Sequence, residues 1–264
     1  MTEASTLDIL EMPRQDFERA LSETPLLIMI VGSIEQHGRH LPLGTDVLIP
    51  LGLADSISQK MENALICPPL PFGVYSGDMS GGGRAFLGTT CISSGTLEGL
   101  VHEILSEYKL QGLKRYLILN GHSENDSALV SALYKVVTKN EGAKALVVNW
   151  WNMLSPTFID KHIPEPARVI LGGHASYLET LALLAVRPDL VHLEELAPSA
   201  PMKEVKYEVF PVDPDTLPTA GVFWPKDPSL KASLTKELAQ LAFSEIVANI
   251  IVAIEKDLPA GKKR

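Results

Sequence analysis

The centre of the chain holds an apolar run, Tyr116-Leu117-Ile118-Leu119, which is followed directly by Asn120-Gly121-His122-Ser123-Glu124-Asn125. A second stretch upstream has the same design: Leu26-Leu27-Ile28-Met29-Ile30-Val31 is followed by Gly32-Ser33-Ile34-Glu35-Gln36-His37-Gly38. Continuous aliphatic runs of this kind are typical of parallel strands that are covered on both faces. Each strand is predicted to end at a glycine and then to present a carboxylate and an imidazole two residues apart.

Around these two stretches, the chain alternates between short apolar runs and longer segments with helical periodicity. We expect strands at 26–32, 64–68, 115–119 and 144–150, and helices at 13–21, 46–62, 96–111, 123–138, 175–186 and 230–257. The alternation predicts a single α/β domain over residues 1–264 with a mostly parallel sheet.

Three stretches, 69–94, 151–172 and 192–226, lack a regular pattern. A long unpatterned loop between good core elements is often functional, and we expect this of the first stretch. The second is predicted to be irregular because it contains several prolines. The third is also rich in proline and is predicted to be a long surface excursion.

Composition limits the classes of protein to which the chain can belong. Its 264 residues carry a net charge of −9 and give a pI of about 5.3, which disfavours a nucleic-acid or an anionic-membrane partner. No apolar run approaches the roughly 20 residues that span a bilayer. With two cysteines, Cys67 and Cys91, and no signal peptide, the sequence favours a location in the reducing cytoplasm.

The two strand-end motifs predict a metal site. Ligands of an open α/β sheet bind beyond the carboxyl ends of its strands, where both motifs lie. Residues i and i+2 of an extended segment point the same way, so Glu35 and His37 can face one pocket, as can His122 and Glu124. Asp46 supplies a third carboxylate. A single Glu-x-His pair is common in proteins without a metal, so the prediction depends on finding two pairs at two strand ends.

The charge of these five side chains indicates which ions they would bind. Three carboxylates repel one another unless a cation is present. Two divalent cations would offset the three negative charges and leave one positive charge, which a bridging hydroxide neutralises. Nitrogen and oxygen ligands without a thiolate favour Zn²⁺ or Mn²⁺ over Mg²⁺. Two such ions about 3.5–4 Å apart would generate hydroxide and polarise a carbonyl, so the predicted chemistry is metal-assisted hydrolysis.

Taken in order, these motifs resemble the creatininase family, the creatinine amidohydrolases and their relatives. The resemblance extends over about residues 26–215. Besides the two motifs quoted above, it rests on Leu41-Pro42-Leu43-Gly44-Thr45-Asp46, Ser80-Gly81-Gly82-Gly83, Gly88-Thr89-Thr90, Gly173-His174, Glu179-Thr180 and Val209-Phe210-Pro211-Val212-Asp213-Pro214. It implies a three-layer α/β/α sandwich that assembles as a homohexamer and acts on a small molecule.

The resemblance also assigns metal ligands residue by residue. It implies that Glu35, Asp46 and His122 hold one ion. It implies that His37, Asp46 and Glu124 hold the other, so that Asp46 bridges the two. These are the five residues that strand geometry selects independently.

Further roles follow from the same resemblance. It implies that His174 transfers a proton to the leaving nitrogen, although a histidine here could also merely begin a helix. It implies that Trp151 lines the pocket and that Ser80 contacts substrate. Glu124 would help to position the attacking water while it binds its ion.

Three residues depart from the pattern of the creatinine-hydrolysing members. Ser123 stands where they carry an aromatic residue, and Ile170 and Leu171 stand where they carry a tryptophan and an aspartate. The resemblance therefore implies hydrolysis of a cyclic amide C–N bond, in creatinine or in a related small ring. The alternatives are a lactone, carbocyclic ketone or peptide substrate, or a non-catalytic small-molecule binder that has kept its metals.

The sequence leaves open what some neighbouring residues do. Glu179 either orients a metal ligand from behind or pairs with Arg187 in the core. Trp150 and Trp151 are adjacent, so we expect the first in the core and the second in the pocket. The glycines at 81–83 lack the lysine and helix of a nucleotide-binding loop, so we expect them to let the backbone approach the substrate.

Overall fold

The computed structural model describes residues 8–23, 25–61, 63–76, 83, 86–138, 142–197, 222, 224 and 227–260. Within them, one sheet is formed by four strands: β1 (Leu26–Val31), β2 (Ala64–Ile66), β3 (Arg115–Asn120) and β4 (Lys144–Asn149). Their order across the sheet is β2-β1-β3-β4, and all three neighbouring pairs are parallel. The predicted strands are confirmed, and the described sheet is entirely parallel.

One helix precedes the first strand, and the others fill the connections between the strands and follow the last one. They are α1 (Arg14–Leu21), α2 (Thr45–Ser58), α3 (Ser94–Leu110), α4 (Asp126–Val137), α5 (Pro156–His162), α6 (Glu165–Arg168), α7 (Tyr177–Val186), α8 (Pro228–Ser233) and α9 (Lys236–Asp257). Single 3₁₀ turns occur at Ser123–Asn125, Trp150–Asn152, Pro188–Leu190 and Leu193–Glu195.

Helices cover the sheet on both faces. Alternate residues of each strand point to opposite sides and so enter two different cores. Ile28 and Ile30 of β1 belong to a core that includes residues of α2, α7 and α9. Leu27 and Met29 belong to a second core that includes residues of α3 and α4. The chain therefore forms the three-layer α/β/α sandwich that the family resemblance implies.

The stretch 151–172 differs from the irregular structure predicted for it, because it contains α5 and α6. Its prolines lie at helix starts, where a missing N–H costs nothing and the fixed φ suits the helix. Pro156 begins α5, and the hydroxyl of Ser155 before it accepts a hydrogen bond from the backbone N–H of Phe158. The prediction that these prolines keep the stretch irregular was wrong.

The C-terminal segment 230–257 is two helices rather than the single one predicted. α8 ends at Ser233 and α9 begins at Lys236. Thr235 caps α9 by accepting a hydrogen bond from the N–H of Leu238, and this cap fixes a new helix start within an otherwise helical pattern.

By length and composition alone, α9 could cross a membrane, with a mean hydropathy of 1.6 over an 18-residue window. The sequence pattern alone did not indicate a segment of this kind. In the fold, α9 buries Ala239, Phe243, Ile246 and Ile250 in the same core as α2 and α7. Such a helix is expected of a protein core as well as of a membrane span.

Most of the predicted surface excursion at 192–226, including the segment Val209–Pro214, lies outside the described residues. Two residues near its end, Val222 and Trp224, are buried. The ring of Trp224 stacks on that of Tyr177 in α7 at a centroid distance of 6.1 Å. This end of the segment packs into the core, contrary to the prediction.

Candidate metal centre

The site lies at the carboxyl ends of β1 and β3, where the order of the sheet reverses direction. From β1 the chain crosses to β2 on one side, whereas β3 lies on the other side. A crevice forms outside the strands at such a switch point. Val31 is paired with Asn120, so the glycines that follow both strands leave the sheet at the same level.

Those two glycines allow the first turn of α2 to lie directly over the strand ends. A Cβ atom on Gly32 would stand 2.4 Å from the backbone oxygen of Asp46, and one on Gly121 would stand 1.8 Å from the same oxygen. No side chain fits at such distances. Because both positions are glycine, the backbone of α2 can approach closely, and Asp46 lies beside the strand-end motifs.

The three elements meet in a buried cluster of carboxylates and imidazoles. Nδ1 of His122 lies 3.2 Å from Oε2 of Glu35 and 3.1 Å from Oδ2 of Asp46. Nε2 of His37 lies 3.0 Å from Oδ1 of Asp46. All four side chains are at most 4% exposed, so their charges are largely removed from bulk solvent.

Backbone carbonyls fix which nitrogen of each imidazole faces the cluster. A carbonyl only accepts, so Nδ1 of His37 donates to the carbonyl of Glu35 at 3.0 Å and its Nε2 faces Asp46. Nε2 of His122 donates to the carbonyl of Val74 at 2.8 Å and leaves Nδ1 facing both carboxylates. In metal-ligating histidines, the ring nitrogen that does not bind the metal typically donates a hydrogen bond of this kind, and that bond orients the ring.

The donor atoms of the cluster fit metal ions. Nε2 of His37 and Oδ2 of Asp46 are buried and make no hydrogen bond, despite their short distances to neighbouring groups. Buried polar atoms without a partner are rare, and a cation would supply one here. Ligand atoms of Glu35, Asp46 and His122 lie within 4.8 Å of one another, as do those of His37, Asp46 and Glu179.

The protonation of the cluster indicates the same need for positive charge. Burial lowers the pKa of His37, but the carboxylates of Asp46, Glu179 and Glu35 together outweigh this effect and raise the pKa to about 10. Burial also lowers the pKa of His122, yet the facing carboxylates of Asp46 and Glu35 raise the pKa well above its ordinary value. Burial raises the pKa of both carboxyl groups, and the facing imidazoles lower it below the ordinary range. Without cations, protons supply the positive charge.

Glu124, the fifth predicted ligand, lies on the opposite side of the His122 ring. Its Oε2 is 3.3 Å from Nε2 of His122 and accepts a hydrogen bond of 2.5 Å from the hydroxyl of Ser123. It lines the same cavity as the cluster but is not within ligand distance of His37 and Asp46. Its assignment to the second ion stays a prediction.

Glu179 occupies the place beside His37 and Asp46. Its Oε2 is 3.7 Å from Nε2 of His37. The alternative in which it pairs with Arg187 is wrong, because that guanidinium binds Asp189 at 2.7 Å and 2.9 Å. Burial, followed by the charge of Asp46, raises the pKa of Glu179 to about 7, although the charge of His37 opposes the shift.

His174 lies on the rim of the cluster, in the loop before α7. Its Nε2 donates to the carbonyl of Gln36 at 2.7 Å, and its Nδ1 lies 3.7 Å from Oε2 of Glu35. The rings of His174 and His37 are 4.4 Å apart. Burial, followed by the charge of His37, lowers the pKa of His174 to about 4.

A small cavity of about 100 Å³ opens beside the cluster. Its walls include Ser123, Trp151, Leu171 and Leu178. Trp151 is therefore in the pocket and Trp150, which is 1% exposed, is in the core. Both lie on a 3₁₀ turn, although Trp150 was predicted to be the last residue of a strand. Ser80, the other predicted substrate contact, lies outside the described residues.

Sequence reasoning missed Ser76 as a member of the site. Its hydroxyl donates to Oε1 of Glu35 at 2.6 Å, and the backbone N–H of Gly83 donates to the same oxygen at 3.2 Å. The two bonds occupy Oε1 and leave Oε2 of Glu35 facing the cluster. The expectation that the loop 69–94 is functional was the only signal, and it did not single out this serine.

Comparison with known proteins identifies the family of the chain. The family model described as creatininase, creatinine amidohydrolase, matches residues 10–254. The chain is 31% identical over 259 residues to the creatinine amidohydrolase of Pseudomonas putida, covering 94% of this chain and 96% of that protein. It is also 31% identical over 194 residues to the mycofactocin precursor peptide peptidase of Mycolicibacterium smegmatis, covering 70% of this chain and 68% of that protein.

Solved structures of creatininase share the fold. A variant of the Zn-Zn type and the Mn form each superpose with a TM-score of 0.87 at 29% identity, covering 95% of this chain and 98% of the other.

Proposed function

This chain belongs to the creatininase family of hydrolases, and on that basis we propose that it is an amidohydrolase that uses two divalent ions per chain, Zn²⁺, Mn²⁺ or one of each. The proposed reaction is hydrolysis of a C–N bond in a small cyclic amide. The observation that carries the proposal is the pair of buried, unbonded atoms, Nε2 of His37 and Oδ2 of Asp46, within a cluster of nitrogen and oxygen donors.

The proposed ligands follow the family pattern. Glu35, Asp46 and His122 would hold one ion, and the distances of 3.1–3.2 Å around Nδ1 of His122 support this group. His37 and Asp46 would hold the other, with Glu124 as the family pattern assigns it. Bound divalent ions would supply a hydroxide at neutral pH and polarise the scissile carbonyl.

The chain's own groups would move the proton. Because Nε2 of His174 donates to the carbonyl of Gln36, Nδ1 is the atom that faces the cavity side of the cluster. Burial, followed by the charge of His37, lowers the pKa of His174 to about 4, so the ring is neutral near pH 7 and Nδ1 carries the lone pair that would take up the proton during the reaction. Returning that proton to the leaving nitrogen completes general acid–base catalysis.

The apolar part of the cavity wall supports an uncharged ring as substrate. Trp151, Leu171 and Leu178 offer apolar surface, and the polar walls are the cluster itself with Ser76, Ser123, Glu124 and Glu179. A volume of about 100 Å³ suits a small ring better than a drug-sized ligand, whose pockets hold about 300–1,000 Å³. We favour a neutral lactam-like ring over creatinine, because Leu171 in the cavity wall stands where the creatinine-hydrolysing members carry an aspartate. Ser80 is proposed as a further substrate contact.

A second candidate function is cleavage of a peptide bond. It is supported by the identity of 31% to the mycofactocin precursor peptide peptidase, which equals the identity to the creatinine amidohydrolase although it covers less of the chain. The same centre could serve both reactions, because in each of them hydroxide attacks an amide carbonyl. The third possibility is a binder without catalysis.

We also propose that the protein is cytoplasmic, forms a single domain and assembles as a homo-oligomer, a hexamer as the family resemblance implies. The net charge of −9 argues against a nucleic-acid partner.

The test combines metal analysis with a substrate panel. Protein purified without chelator should contain about two equivalents of Zn or Mn, and its activity should disappear with chelator and return with metal. The panel contains creatinine, five- and six-membered lactams, and short peptides. Turnover of lactams above the other two supports the leading proposal, and turnover of peptides alone favours the second. Metal without any turnover favours the binder, and well-folded protein that binds no metal overturns all three.

A further inference from the structure

The loop that carries His174 contains an unfavourable backbone conformation. Ala175, the next residue, has a φ of +49°, in the left-handed region that side chains other than glycine rarely adopt. Such a conformation persists only where surrounding contacts hold it, and it is common at functional sites. The contacts that hold this turn therefore also set the position of the His174 ring.

One of those contacts comes from Glu179. Its Oε2 accepts a hydrogen bond of 2.6 Å from the backbone N–H of Ala175. The loop is closed further by Ser176, whose hydroxyl lies 2.6 Å from the carbonyl oxygens of both Ile170 and Gly173. Glu179 is thus a charged side chain that binds the backbone of this turn, and the imidazole of His40 also hydrogen-bonds to the backbone of Ala175.

The same carboxylate faces the cluster. Oε2 of Glu179 is 3.7 Å from Nε2 of His37, and the side chain is only 17% exposed. A glutamate in the first turn of a helix often caps the helix by accepting a backbone N–H, and Glu179 is the third residue of α7. A simple cap, however, does not require burial beside a candidate metal ligand and in the wall of the cavity.

We propose that Glu179 is a positioning residue for the reaction: its carboxylate holds Ala175 in the left-handed turn and thereby keeps Nδ1 of His174 at the cluster. The proposal rests on the proposed function, because it gives His174 its task there. It assigns to Glu179 the task of placing the proton carrier rather than that of binding a metal or substrate.

The experiment compares Glu179→Ala, Glu179→Gln and a control, Glu165→Ala, an exposed position in α6. Glutamine keeps an oxygen that can accept from Ala175, whereas alanine does not. For each variant we would measure amide hydrogen exchange of the peptide 171–178, metal content, and kcat and KM on the best panel substrate. Hydrogen exchange reports on the turn whether or not the protein turns over a substrate.

The expected result is faster exchange, by about 10-fold or more, in Glu179→Ala only. In the same variant kcat should fall about 10- to 100-fold, because a misplaced catalytic group costs rate, while KM and metal content stay close to wild type. Glu179→Gln should keep slow exchange and most of kcat, and the control should match wild type.

Three outcomes would overturn the proposal. Loss of metal in Glu179→Ala would make the residue a ligand. Unchanged exchange, or faster exchange with unchanged kcat, would make it an ordinary cap. In the third outcome, kcat falls as far in Glu179→Gln as in the alanine variant while hydrogen exchange stays slow. That result would show that catalysis depends on the negative charge of Glu179 and not on its hydrogen bond to Ala175. If no variant, including wild type, binds metal or turns over substrate, the proposed function fails instead.

Discussion

Nε2 of His37 lies 3.0 Å from Oδ1 of Asp46, and both side chains are almost completely buried. The two residues come from different elements, His37 from the segment after β1 and Asp46 from the first turn of α2. In the chain without cations, a proton on the imidazole supplies the charge that faces the carboxylate. Binding of metal would therefore exchange protons for cations, as it does at most sites with imidazole ligands.

The first prediction concerns the pH dependence of stability after removal of metal. The pKa of His37 is raised to about 10 in the fold, from about 6.5 in the unfolded chain, so the folded state binds more protons between these values. The contribution of this group to stability is complete below pH 6.5 and disappears as the pH rises towards 10.

Chelator-treated protein should accordingly show a falling Tm from about pH 6.5 to 10 in thermal melts. Metal-loaded protein should show a weaker dependence over the same range, because its imidazoles are neutral ligands. A Tm of the chelated protein that is constant or rises over this range would contradict the protonated pair. Both samples should be measured at the same ionic strength, because salt screens charge interactions.

The second prediction concerns Asp46→Asn. Asparagine keeps the shape of the side chain but removes the charge that is proposed to bridge two ions. Metal content measured by elemental analysis should fall from about two equivalents to one or none. Asp55→Asn, on the same helix but exposed, is the matched control and should keep both. Two equivalents in Asp46→Asn would rule out the bridging assignment.

The third prediction concerns Gly121→Ala. A Cβ at this position would lie 1.8 Å from the backbone oxygen of Asp46, so α2 must move away from the strand ends. We expect a loss of at least about 1–3 kcal/mol in the free energy of unfolding, the cost of overpacking a dense site. Denaturant unfolding would measure it.

Gly99→Ala is the control for that substitution. Gly99 lies inside α3, and a Cβ added there would meet no atom within 4 Å, so alanine should stabilise the helix by about 0.5–1 kcal/mol. Opposite signs for the two substitutions would separate steric exclusion from the general effect of replacing glycine. Equal stability of Gly121→Ala and wild type would mean that α2 does not depend on this close approach.

The sequence predicted the part of the site that follows from strand geometry. Two aliphatic runs gave β1 and β3, and the rule that parallel strands end at one edge brought Glu35 and His122 together. The rule says nothing about how a helix crosses that edge. The close approach of Asp46 to Gly32 and Gly121 depends on tertiary packing, which no local pattern encodes.

Other members of the site carry no local signal at all. Ser76 lies in a loop without periodicity, and its bond to Glu35 joins residues 41 positions apart. The sequence left two roles open for Glu179, orienting a metal ligand or pairing with Arg187. Only the structure excludes the second, because Arg187 binds Asp189. Two helix starts were predicted wrongly for a related reason. Ser155 caps a helix inside a stretch whose composition predicts a loop, and Thr235 caps one inside a stretch whose pattern predicts a continuous helix.

The fourth prediction concerns His174→Ala, which should separate catalysis from metal binding. The histidine lies on the rim of the cluster, with Nδ1 3.7 Å from Oε2 of Glu35. As the proposed proton carrier, its loss should lower kcat by about 10²- to 10⁴-fold while metal content stays the same. His192→Ala, at an exposed histidine, is the control and should retain wild-type activity. Loss of metal along with activity would instead make His174 a ligand, an arrangement that the ligand atoms of Glu35, His37 and His174, all within 4.8 Å of one another, would permit.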